Sequence, residues 1–129
     1  MKKLWIAMGM ALLLNMPLLA NDIRGVWLRD NGKSKITLAD CGGGWVCSKI
    51  TWLQDPGAMD KFKNTKILGS QNGRFKLQGS TWSGTIYNPE DGKTYSATAS
   101  VSGNTLSLKG GYKVLGTVVG KTATFTRSN

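Results

Sequence analysis

Thr94-Tyr95-Ser96-Ala97-Thr98-Ala99-Ser100-Val101 is the stretch that decides the fold class. Apolar Tyr95, Ala97, Ala99 and Val101 alternate with hydroxyl-bearing Thr94, Ser96, Thr98 and Ser100, and a period of two places each set on its own face of a β-strand. The same period runs outward in both directions. Upstream, Val46, Ile50 and Trp52 fall on one face, as do Phe75 and Leu77; downstream, Leu106 and Leu108 do the same. No stretch after residue 21 keeps an apolar stripe at helical spacing for three turns, so the chain reads as all-β.

Between these runs lie Asp30-Asn31-Gly32, Gly42 to Gly44, Gln71-Asn72-Gly73, Gly79-Ser80, Asn88 to Gly92, Ser102-Gly103-Asn104 and Gly110-Gly111, which are expected as hairpin turns. They divide the chain into about eight short strands. Tight connections favour an antiparallel meander, and a meander of that size closes most simply as an eight-stranded β-barrel, which leaves no exposed edge. One connection is long, from Asp55 to Lys66, and carries Lys61, Lys63 and Lys66. It is read either as a lid over one barrel mouth or as a crossover with no task.

The amino-terminal segment has its own logic. Met1-Lys2-Lys3 precedes an uncharged apolar run from Leu4 to Leu14, then Pro17 and the small Ala20, the layout of a signal peptide cut after Ala20. Residues 1–20 are therefore expected as a signal-peptide helix and 21–129 as one periplasmic domain, with release from the cell left open. The apolar run is short for a span, no cysteine near the cut offers an acceptor for acylation, and no later segment is apolar enough to cross a bilayer. Cys41 and Cys47, the two cysteines, flank a glycine-rich loop and are expected to pair in an oxidising compartment.

Lysine and arginine number 17 against 7 aspartate and glutamate, a formal charge of +10 that falls to +8 once Lys2 and Lys3 leave. Anionic partners follow, and export points to lipid headgroups, lipopolysaccharide, peptidoglycan or an acidic protein rather than nucleic acid. Lysines at alternate positions, as in Lys33/Lys35 and Arg74/Lys76, also fit the solvated face of a strand. The chain contains no histidine, which removes the usual base at neutral pH. Asp22, Asp30, Asp40, Asp55, Asp60, Glu90 and Asp91 are the available carboxylates, and most sit where a carboxylate bonds turn amides. No cofactor, metal set or catalytic constellation is expected.

Two motifs carry more. Gly25-x-Trp27 opens the first strand, and Arg127 shares strand parity with Ala123 and Phe125 in the last. In a closed barrel these strands are neighbours, so the Arg127 guanidinium is expected to lie on the Trp27 indole and bond carbonyls otherwise unpaired. The arrangement resembles the lipocalin and calycin superfamily, and the resemblance implies a structural role for Gly25, Trp27 and Arg127.

The second motif is Trp82-Ser83-Gly84-Thr85-Ile86-Tyr87-Asn88-Pro89-Glu90-Asp91-Gly92-Lys93-Thr94-Tyr95-Ser96-Ala97. It resembles the hallmark of an exported bacterial family catalogued as domain of unknown function 2147. The cysteine pair followed by Lys49-Ile50-Thr51-Trp52-Leu53, the Leu68-Gly69 pair and the closing Thr126-Arg127 agree, whereas the Met59 to Asn64 segment departs from the family pattern. The resemblance implies export and fold, and no reaction. The leading expectation is a non-enzymatic module that binds a small apolar or amphipathic envelope molecule, with Trp45, Trp52, Trp82, Tyr87 and Tyr95 around the pocket. The alternative is a solid barrel that meets anionic envelope components with its basic surface. An enzyme built on Glu90 and Asp91 ranks third. Oligomeric state is not legible.

Overall fold

The alternation of branched or aromatic residues with hydroxyls and cations produces strands throughout residues 22–128, the part of the chain that the computed structural model describes. The expected leader and its cleavage point lie outside those residues. In chain order the strands are β1 (Gly25–Arg29), β2 (Ser34–Gly42), β3 (Trp45–Leu53), β4 (Met59–Asp60), β5 (Thr65–Lys66), β6 (Gln71–Gln78), β7 (Thr81–Asn88), β8 (Lys93–Ser102), β9 (Thr105–Val114) and β10 (Thr117–Ser128). Eight of them close an antiparallel barrel in the order β1-β10-β9-β8-β7-β6-β3-β2, while β4 and β5 pair only with each other. Among the described residues no helix is long and apolar enough to cross a membrane.

Inward-facing side chains from all eight barrel strands fill the interior: Trp27, Ile36, Leu38, Val46, Ile50, Phe75, Trp82, Ala97, Ala99, Leu106, Leu108 and Phe125, with Ile23 plugging the end before β1. Each large member contributes about 1.5–3 kcal/mol by leaving water. Tyr95, Ala97, Ala99 and Val101 take the core face and Thr94 and Ser100 face solvent.

The barrel closes where the sequence placed the seam. Trp27 is opposite Arg127 in the β1–β10 ladder. The guanidinium carbon lies 4.2 Å from the indole centroid, and its two terminal nitrogens donate to the carbonyls of Arg24 and Asp22, both at 3.1 Å. The Trp27 indole N–H donates to the Ile23 carbonyl at 2.8 Å, so the whole seat is hydrogen-bonded. At the other termini of β2 and β3, Cys41 and Cys47 are bonded with Cα atoms 5.7 Å apart. A loop that short gives about 2 kcal/mol by the chain-entropy argument.

Four local expectations are corrected. Trp52 does not join Val46 and Ile50 inside. The ladder runs Ile36↔Ile50 and then Lys35↔Trp52, so Thr51 is an extra residue, parity flips, and Trp52 turns outward beneath Lys35 while Leu53 packs on the core. Leu77 is exposed because β6 has there run past its last pair with β3, Trp45↔Lys76. Gln71-Asn72-Gly73 is strand rather than turn, and Gly73 is small because Ile86 and Thr85 press on it. Gly110-Gly111 likewise lies inside β9, where a Cβ on Gly110 would meet Ile86 at 2.6 Å and one on Gly111 the Val119 carbonyl at 2.0 Å. The true turn is Leu115-Gly116, both at positive φ (52° and 81°). Leucine in that region costs roughly 1–2 kcal/mol.

Candidate functional site

The long connection and the motif turn meet at one end of the barrel. After Pro56-Gly57 the chain makes a small hairpin, or strap, in which Met59 pairs with Lys66 and Asp60 with Thr65, its base closed by Ile67 N–H donating to the Ala58 carbonyl at 3.2 Å. Asp60 organises its tip: the buried carboxylate accepts the amides of Phe62 at 2.9 Å and Lys63 at 3.2 Å. Asn64 completes the reversal with φ 56°, a conformation that asparagine tolerates.

The motif turn is built the same way. Asn88 accepts the Glu90 amide at 2.9 Å through its side chain and the Gly92 amide at 2.8 Å through its carbonyl, and Asp91 accepts the Lys93 amide at 2.9 Å. The Tyr95 hydroxyl donates a short hydrogen bond to the other Asp91 oxygen. Tyr95 in turn stacks edge-on against Tyr112, centroids 5.7 Å apart. Gly92 (φ 72°) is where the strap rests, because a Cβ there would lie 2.6 Å from Cγ of Phe62.

Charge is shared across the contact. Lys63 places its ammonium 3.9 Å from the Tyr87 ring centroid, and the enclosed Tyr87 hydroxyl faces Asp60 without a hydrogen bond of regular geometry. Burial, then the Asp60 and Asp91 carboxylates, push the Tyr87 hydroxyl up to about 12. The Tyr95 hydroxyl also rises to about 12, first because it donates to Asp91 and then by burial. Asp91 is lowered chiefly by that same bond. For Asp60, burial opposes ionisation but is outweighed by Tyr87, the two amides and Lys63, so its carboxyl is also lowered. Both aspartates are thus held as carboxylates by fixed donors.

Beside this network an open cleft of about 350 Å³ is lined by Met59, Lys61, Phe62, Ile67, Pro89 and Glu90. Of the five aromatic residues expected around a pocket, only Tyr87 and Tyr95 belong to this end. Trp45 lies on the outer wall between Arg74 and Lys76, at 4.3 and 5.3 Å; Trp52 is also outside; Trp82 is core, with Arg24 at 5.5 Å. Pro89 and Glu90 line the cleft, whereas Asn88, Asp91 and Gly92 shape it. Phe62 and Tyr112 were missed by sequence reasoning, and Lys63 was noted only as a cation of the long connection; for Tyr112 the signal was available, since it continues the Leu106, Leu108, Gly110 parity. Among the described residues no cluster of three or more His, Cys, Asp or Glu side chains is placed to hold a metal ion.

Comparison with curated proteins and with solved structures finds no match. A family match does exist, and its bounds coincide with the two ends of the barrel seam, Gly25 and Arg127. Over residues 25–127 the sequence matches the family described as Uncharacterized protein conserved in bacteria (DUF2147), and the chain belongs to that family.

Proposed function

We propose that the protein is an exported, non-enzymatic binding module of the periplasm, with a lipocalin-like barrel that takes a small amphipathic envelope molecule at its mouth rather than in its interior. The observation that carries this reading is the cleft under the strap. Four apolar residues, Met59, Phe62, Ile67 and Pro89, line it together with Lys61 and Glu90, so it offers an apolar bed beside one charge of each sign. The interior is already occupied by core side chains, which leaves the mouth as the place for a ligand. Export is supported by the leader-like pattern of residues 1–20 and by a disulfide that persists outside the cytoplasm. The Trp27–Arg127 seat supports the lipocalin likeness.

Native mass spectrometry of the protein purified gently from its own envelope, at low and then high salt, tests the reading. The expected result is a small retained mass that survives salt and is lost in Phe62→Ser. A bare protein mass under both conditions overturns it.

A second reading, contact between the basic surface and anionic envelope components, is favoured by one observation. After Asp91 the chain carries Lys93, Lys109, Lys113, Lys121 and Arg127 and not one acidic side chain.

A further inference from the structure

The β9–β10 hairpin outruns its neighbours. β8 stops pairing at Ser96↔Gly111 and β1 at Arg29↔Phe125, yet β9 and β10 remain paired to Val114↔Thr117. The three pairs beyond Gly111, at about 3.3 Å rise each, run roughly 10 Å past the last β8–β9 pair, with Tyr112 at their base stacked on Tyr95 of β8. Val118 in this segment is buried, but Leu115 is fully exposed, at 101 %, and Tyr112, Val114 and Val119 are each more than half exposed. Soluble surfaces scatter such residues singly; here four of them share one tip.

The leucine itself is the sharper observation. A two-residue hairpin turn with both positions at positive φ favours Asn-Gly, and asparagine would sit there without strain. This chain puts leucine at φ 52°, in full contact with water, where it packs against nothing that repays the conformation. Lys113 lies in the projecting segment and Lys121, opposite Gly110, at its base, and among the described residues neither is in an ion pair. An apolar tip that carries Lys113 and no acidic side chain within residues 112–119 is complementary to a bilayer whose surface is anionic and whose interior is apolar.

We propose that the Tyr112–Val119 hairpin inserts Leu115 into the headgroup and upper acyl region of an anionic phospholipid bilayer, with Lys113 and Lys121 at the phosphates. This deepens the second reading above and rests on it. The projection matches the roughly 5–10 Å depth of interfacial insertion, and the lysine stems allow the ammonium groups to reach back to the surface. The protein then holds its cleft close to a membrane without spanning it.

The test is flotation of the closed barrel, residues 21–129, with vesicles of equal parts phosphatidylcholine and phosphatidylglycerol, and with phosphatidylcholine alone, at low and high salt. Binding is expected to the anionic vesicles only and to weaken as salt rises. Leu115→Asn is expected to lower partitioning about tenfold or more while leaving the thermal midpoint unchanged or raised, because it removes the apolar anchor and relieves the turn. Lys113→Gln and Lys121→Gln are each expected to lower it about fivefold. Equal binding of Leu115→Asn and the parent overturns insertion and leaves the electrostatic reading standing. Failure of the parent to float with anionic vesicles at low salt overturns both. A dimer in sedimentation that Leu115→Asn dissolves, with no vesicle binding, assigns the tip to self-association and overturns the proposal as well.

Discussion

Arg127 joins the two ends of the described chain through one planar group. It covers the Trp27 ring, satisfies the carbonyls of Arg24 and Asp22, and lies so close to Gly25 that a Cβ there would stand 3.2 Å from its Nη1. Arg127→Ala uncovers the indole and orphans two carbonyls at once, and is expected to cost about 3 kcal/mol, read as a lower urea midpoint at unchanged slope. Arg127→Lys keeps the charge but not the fork, and should recover less than half of that loss. Equal stability of the lysine variant and the parent would show that charge alone closes the seam. This residue was legible because strand parity and barrel closure suffice to place it. Trp52 was not, since a single extra residue, Thr51, reverses parity and no composition signal marks it.

At the scale of elements, the strap converts an irregular connection into part of the mouth, and its anchor is a ring laid on a glycine. Gly92→Ala brings a Cβ to 2.6 Å from Phe62 Cγ at φ 72°, so the strap is expected to lift and trypsin to cleave sooner at Lys61 and Lys63. Phe62→Ala should expose the same bonds by removing the anchor, and the double variant should be cleaved no faster than the quicker single one, because both act on one contact. Additive rates would separate the two residues. The hairpins at Asp30-Asn31-Gly32, Gly42 to Gly44, Gly79-Ser80, Asn88 to Gly92 and Ser102 to Asn104 were legible from their turn residues. The strands through Gly73 and Gly110-Gly111 were not, because glycine answers two different needs. One is positive φ, which makes a turn; the other is close approach of a neighbouring chain, which keeps a strand running. Only the neighbours that the folded sheet brings up, Ile86 against Gly73 and Gly110 and the Val119 carbonyl against Gly111, decide between them.

For the whole molecule, closure makes stability a collective property, since the β1–β10 ladder joins Val26 to Ser128, near the two ends of the described chain. Its response to pH follows from which groups that closed structure perturbs. Histidine is absent and both cysteines are bonded, so no side chain with an ordinary pKa titrates between the carboxylates and the phenols and amines. Asp60 and Asp91 have lowered folded values, so the stability they contribute is complete above the unfolded carboxylate value near 4 and is lost as pH falls through their folded values. Tyr87 and Tyr95 have raised ones, so theirs is complete below about pH 10 and is lost as pH climbs through about 12. The thermal midpoint should therefore be level from about pH 5 to 9 and fall on both sides. Tyr95→Phe keeps the ring against Tyr112 but removes the donor to Asp91, and should make both limbs shallower while lowering the plateau. Limbs as steep in Tyr95→Phe as in the parent would mean that acid and alkali open the barrel through its net charge of like sign instead, and that the strap and motif turn are carried along by a wall that repels itself.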